Sequence, residues 1–482
     1  MNVRRLLAGT LACGVAVTIL TGCDDAPKST LNRPGAPVVL TGKQLPAFSG
    51  VLPSRVVAFR HTTDGSTKTW TQIPVQVDQR KVVPFGSQPS TNAAAGTPGT
   101  VYGNGSGGPT ALQYADPNTW VGADANPNVD GDDEVVFMAS DAGGQAPEGS
   151  SPAGVVAGSG VAVAVSDPRA GSEKGWVYLF RSTGGLDSSA GKDYVAYDFA
   201  LKSGDYKSTY KRATGPNPET SSVVTPTYRI DFTDRWKEVS WKVLAPGASG
   251  ADVLDGHKNQ FATSTCGRSN QTFLEEEGAF VANIDGPVRA IRSYVGANSG
   301  PLTQRTHLLY RDREDVITNL RVHAIPGIMD FVDYSSAASG MTYRSSTVPN
   351  GVRIDGVADV VGTKLPRWEA VDGPQGRIYT RSTFTTSQSG LNAKTVGFYR
   401  DQRLPQEPQC WGDSSYFGAS GSWVQAGIDN TDPRSTPTAT VTGTRVNQFL
   451  PPAADKTKVA AYAADWAADV DAPLTVSVAA FS

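Results

Sequence analysis

The feature that most constrains the fold is a succession of short apolar–polar alternations, cut every few residues by some of the 51 glycines and 32 prolines. Such runs include Val56 to Phe59, Trp70 to Val77, Trp176 to Phe180, Tyr228 to Phe232, Val239 to Leu244, Ala279 to Ile284, Val288 to Tyr294, Thr306 to Tyr310, Val316 to His323, Thr395 to Tyr399 and Leu474 to Phe481. A two-residue period is that of half-buried strands. Only Ala453 to Ala468 has a helical pattern. Parallel strands need crossover helices, so this pattern predicts a mainly β chain with few helices, built as an antiparallel sandwich or a large double-sheet architecture. The absence of a fixed-period repeat disfavours propellers and solenoids.

A chain of 482 residues exceeds what one core usually serves, which predicts two domains. Gly, Pro, Ser and Ala crowd into 143–160, the expected linker between an N-terminal β domain over 46–142 and a large sandwich-like domain over 161–482. The loop-like stretch Gln88 to Gly108 reads as an insertion in the first domain.

The start of the chain carries Arg4 and Arg5, an apolar run from Leu6 to Leu20, and then Leu20-Thr21-Gly22-Cys23. A basic start, a short apolar segment and small residues before a cut describe a secretory signal, too short for a comfortable membrane span. The motif resembles the lipobox of bacterial lipoproteins. That resemblance implies a signal peptide over 1–22, cleavage before Cys23 and acylation of Cys23, with 23–45 as a polar tether and the body lipid-anchored outside the cytoplasm. An ordinary signal peptide with an incidental cysteine is the alternative.

Without residues 1–22 the chain holds 41 Lys+Arg against 46 Asp+Glu, a net charge of −5, and no basic cluster. This argues against nucleic-acid binding. Export makes Cys266 and Cys410 a candidate disulfide, with two unpaired thiols as the alternative. His61, His257, His307 and His323 are scattered without metal-ligand spacing, so a zinc cluster is not expected.

The densest polar constellation is Asp124, Asn126, Asn128, Asp130, Gly131, Asp132, Asp133 and Glu134, followed by the apolar Val135 to Met138. Oxygen side chains at alternate positions around a glycine suit Ca²⁺, with Asp124, Asn126, Asn128, Asp130, Asp132 and Glu134 as candidate ligands. A solvated turn before a strand explains the same residues, because Asn, Asp and Gly are common turn formers. Trp70 to Asp78 taken with Asp130 to Met138 is similar to a pairing found in exported β-rich bacterial proteins of unassigned activity; the resemblance implies an extracytoplasmic β domain and no catalytic residue.

No nucleophile elbow or phosphate loop is present, and Gly103-x-Gly105-x-x-Gly108 lacks a strand-to-helix context. The region Gly286 to Tyr343 is richest in reactive side chains. Residues two apart on a strand share a face, so Arg305 and His307 should point together, with Tyr310 joining them only if the strand bends. Cations, a histidine and a tyrosine on one face could neutralise a uronate and move a proton. Ordinary polar positions on solvent-facing strands explain them too. Trp411-Gly412-Asp413 with Tyr416-Phe417 could stack on a sugar. The expectation is an envelope-anchored protein binding a carbohydrate or a partner protein. A glycan-active lyase or hydrolase using Arg305, His307 and Tyr310 and a purely structural envelope component are the rivals.

Overall fold

The computed structural model describes residues 29–84, 110–119, 121–202, 219–233, 237–261, 268–269, 279–295, 303–320, 327–391, 394–403, 416–428 and 440–482. Cys23, Cys266, Cys410, His323, Asn298, Gly103 to Gly108 and Trp411 to Asp413 lie outside them. Strands dominate, every named ladder is antiparallel, and the α-helix among the described residues is Val459–Asp471.

One sandwich packs a five-stranded sheet against a three-stranded one. The larger has the order Thr475–Phe481, Gly160–Ser166, Lys174–Arg181, Val56–Asp64, Thr67–Ile73, and the smaller Pro37–Thr41, Glu134–Met138, Gln76–Asp78. Val38, Leu40, Val135 and Phe137 meet Val56, Ala58, Val163 and Leu179 between the sheets. On the outer face of the larger sheet, Trp70 meets Phe59, Tyr178, Phe180 and Phe481 edge-on. Two consequences follow for the expected domains. The segment 143–160 is bridged within this sheet by His61 to Gly144 and Gly143 to Trp176. The last strand of the chain completes the first sandwich rather than the second.

The second sandwich is built on a nine-stranded sheet, in the order Ala279–Ile284, Ala290–Val295, Thr303–Leu309, Arg313–Leu320, Val441–Leu450, Gly376–Thr386, Glu369–Gly373, Thr342–Ser345, Val348–Arg353. Facing it are a four-stranded sheet ending in Tyr228–Thr233 and Lys237–Val243, and a five-stranded sheet containing Leu254–Phe261, Ile328–Tyr334 and Tyr416–Val424. Arg313–Leu320 buries every second residue, as a period-two strand should. The apolar part of this core joins Trp241, Tyr228 and Ile230 to Phe449, Ile378 and Leu309. Val459, Ala463 and Ala467, four residues apart, set the helix against Tyr379 on the same sheet and against Trp368, just before the Glu369–Gly373 strand.

The alternation predicts most of these strands. It misses Pro37–Thr41 and Leu254–Phe261, and in the large sheet Thr342–Ser345, Glu369–Gly373, Gly376–Thr386 and Val441–Leu450, four consecutive strands between its middle and its far edge strand. The inward positions of these four mix polar residues such as Glu369, Thr380, Arg445 and Asn447 with apolar ones such as Val371, Ile378 and Phe449, so no continuous apolar stripe marks them.

Candidate functional site: a buried polar layer and an arginine-lined cleft

Residues directly opposite in an antiparallel ladder share a face. One row across the nine-stranded sheet therefore places Arg292, His307, Val316, Arg445 and Ser382 together. The next row carries Leu309, Glu314, Asn447, Thr380 and Glu369, and the row on the other side Tyr294, Arg305 and Thr318. The facing strands add Glu238, His257, Asn259 and Asp330. The result is a polar layer inside a sandwich, where apolar packing would be the default.

Its hydrogen bonds are specific. His307 Nδ1 lies 3.0 Å from Glu314 Oε1 and 3.1 Å from Glu238 Oε1, while its Nε2 is 3.1 Å from the Tyr294 hydroxyl. His257 Nε2 is 2.8 Å from Asp330 Oδ1. Arg305 donates to Asn259 Oδ1 and, at 3.1 Å, to Thr318 Oγ1, with Asp330 at 3.6 Å. Asn447 donates to Glu314 Oε2 at 3.0 Å and accepts from Thr380 at 2.9 Å. Arg292 makes a two-pronged pair with Glu219, 2.9 and 2.5 Å, under the ring of Phe232.

Burial and neighbours set the protonation states. Burial pushes His307 down to about 4, so its imidazole is neutral near pH 7. Burial and the adjacent Glu238 charge hold Glu314 well above the carboxylate range. Burial opposes ionisation of Glu238 as well, but the closely approaching Glu314, His257 and His307 outweigh it and hold that group well below. The expectation that Arg305 and His307 sit on solvent-facing strand sides is therefore not met: they are 8% and 0% exposed.

Tyr310 is not part of this layer. The chain turns after Leu309, and the Tyr310 hydroxyl instead accepts from Arg289 Nη1 at 3.1 Å. Arg289 also donates to Asp78 and Glu134, and Gln76 Oε1 accepts its backbone N–H at 3.0 Å. Gln76 and Asp78 lie directly opposite Val136 and Glu134. The two segments linked by the resemblance thus form one ladder, whose side chains clamp an arginine from the second sandwich.

This clamp floors a cleft of about 770 Å³ between the two sandwiches. Arg33, Arg80, Arg289 and Arg313 line it with Glu134, Asp315 and Asp469, and Tyr114 and Tyr310 add rings. Arg80 pairs with Glu134 at 2.7 Å and Arg313 with Asp315 at 2.6 Å.

The acidic loop lies beside the clamp. Asp130, Asp132 and Asp133 bring carboxylate oxygens within 4.8 Å of one another. Asp133 also accepts backbone N–H groups of Arg80 and Asp130. Asn126 donates to Asp130 and accepts from the backbone of Asn128, and Asp124 accepts the backbone N–H of Asn126, in the manner of turn residues. Glu134 faces the other way, into Arg80, Arg289 and Tyr114. A cation at this loop would meet Asp130, Asp132 and Asp133. Tyr416 is buried beside Phe331, and Phe417 packs on the second core.

No family model matches the chain, and no curated protein matches it. Among solved structures, an Escherichia coli K12 protein named for aldose 1-epimerase is 10% identical, with a TM-score of 0.28 over 53% of this chain and 100% of that one. A likeness of that size carries no argument about fold or chemistry.

Proposed function

We propose that the chain is an exported lipoprotein, anchored through Cys23, that binds a carbohydrate in the cleft between its two sandwiches. The observation that carries this reading is the cleft itself. Its volume of about 770 Å³ suits a small or oligomeric ligand better than a flat protein partner. Its walls offer guanidinium donors and carboxylate acceptors held in place by one another, with tyrosine rings between them, which is the equipment for reading several hydroxyls at once. Four arginines against three acids favour a neutral or anionic sugar.

The enzyme reading needs Arg305, His307, Tyr310 and an acid in one accessible cleft. Arg305 and His307 do meet acids, but in the sandwich interior, while Tyr310 lines the cleft. Binding is therefore better supported than turnover at that strand.

The test is titration of the full-length protein, in detergent, against a panel of neutral and acidic glycans. Binding of at least one, weakened about 10-fold or more by Arg313→Ala, is expected, since a hydrogen bond from a charged donor contributes about 1.5–3 kcal/mol. A panel with no binder would remove the carbohydrate and leave a partner protein or a structural role.

A further inference from the structure

Glu238, His307 and Glu314 come from three strands of two facing sheets, and all three are fully buried. The His307 Nδ1 stands 3.1 Å from one carboxylate and 3.0 Å from the other, and one nitrogen can serve only one of them by hydrogen bonding. The bond goes to Glu314; neither oxygen of Glu238 receives one of proper direction. Side-chain atoms that crowd without aligning are converging on a common point. Ligands about 2.1 Å from a tetrahedral ion lie roughly 3.4 Å apart, and these three ligand atoms lie within 4.8 Å of one another.

We propose that Glu238, His307 and Glu314 hold a divalent transition-metal ion of the zinc class inside the second sandwich. The surroundings fit that role. If His307 donates its Nε2 proton to the Tyr294 hydroxyl, 3.1 Å away, its Nδ1 lone pair faces the two carboxylates. Asn447, itself held by Thr380, fixes the outer oxygen of Glu314. A water would complete the shell, and His257, with Nδ1 3.5 Å from Glu238 Oε2, stands beside that carboxylate. A divalent charge lets both carboxylates ionise side by side, which burial alone forbids. The ion would tie the Lys237–Val243 strand to the nine-stranded sheet, a structural rather than catalytic task. The proposal is independent of the cleft and its ligand.

The test uses full-length protein in detergent, stripped with chelator and titrated with zinc or cobalt. About one zinc per chain should survive gel filtration and raise the melting temperature, and cobalt should give the visible bands of tetrahedral nitrogen–oxygen coordination. Glu238→Gln, which keeps the shape, should abolish retention, and Asp132→Asn in the surface loop should leave it unchanged. If Glu238→Gln does not fold, the cobalt spectrum of the wild type and of Asp132→Asn decides alone. Absence of retained zinc in the wild type, its loss in Asp132→Asn, or an octahedral cobalt spectrum would overturn the assignment.

Discussion

Arg289 donates to one oxygen of Asp78 through both Nε and Nη2, at 2.9 and 2.6 Å, and each side chain is only 1% exposed. The pair spans the two sandwiches: Asp78 ends a strand of the first, and Arg289 immediately precedes a strand of the second. A buried guanidinium is tolerated only while its partners remain, so the clamp fixes how the cleft walls meet.

Asp78→Ala should therefore cost about 3 kcal/mol, the low end for breaking a buried pair, because Glu134 still reaches Arg289. Denaturant unfolding measures this directly. A loss below about 0.5 kcal/mol would show that the clamp does not hold the sandwiches together.

Glu369 offers a pH test. It is buried, which raises its carboxyl above the usual value against the opposing influence of Arg445 and hydrogen bonds with Tyr343 and Ser420. A carboxyl raised in the folded state contributes stability that is complete below its unfolded value near 4.5 and is lost as pH rises through the folded value. Glu369→Gln keeps an acceptor for the Tyr343 hydroxyl, 2.9 Å away, and cannot ionise. Relative to wild type, this variant should gain stability between pH 4 and pH 7 on unfolding curves at each pH. A constant difference would refute the assignment.

Trp70→Ala should cost about 3 kcal/mol, since Trp70 packs edge-on against five rings, one of them Phe481. Hydrogen exchange should rise selectively in Thr475–Phe481, the strand at the sheet edge. Deleting that strand should expose Gly160–Ser166 as a new edge and promote self-association, visible by light scattering.

The resemblance of Leu20-Thr21-Gly22-Cys23 to a lipobox predicts that Cys23→Ser moves the protein from the detergent phase to the aqueous phase on phase separation. The wild-type N-terminal peptide should carry the mass of its acyl chains. Equal partitioning of the two proteins would remove the anchor from the functional reading.

Part of the site was legible in the chain. Arg305 and His307 share a face because a strand's period is two, and the Gln76–Asp78 and Glu134–Met138 segments stand out through their apolar–acidic pattern. Other parts carried no local mark. Arg445, Asn447 and Thr380 are polar residues at inward positions of strands whose buried face is only partly apolar, and a hydrophobic-periodicity reading takes such positions for solvent-facing ones. Thr-rich runs with alternating Arg, Asn and Gln were the available signal for those strands. Glu238 had none, because its meaning comes from His307, sixty-nine positions later in the chain.

The sequence by itself determined a mainly β, antiparallel chain, because alternation and frequent turn residues act over a few residues and need no distant partner. Tertiary structure alone decided that the final strand closes the first sandwich, that Tyr310 turns from His307 toward Arg289, and that three scattered ionisable groups meet in one interior. The reason is that sheet order and facing contacts depend on which strands pair across long loops, and no spacing along the chain encodes that pairing.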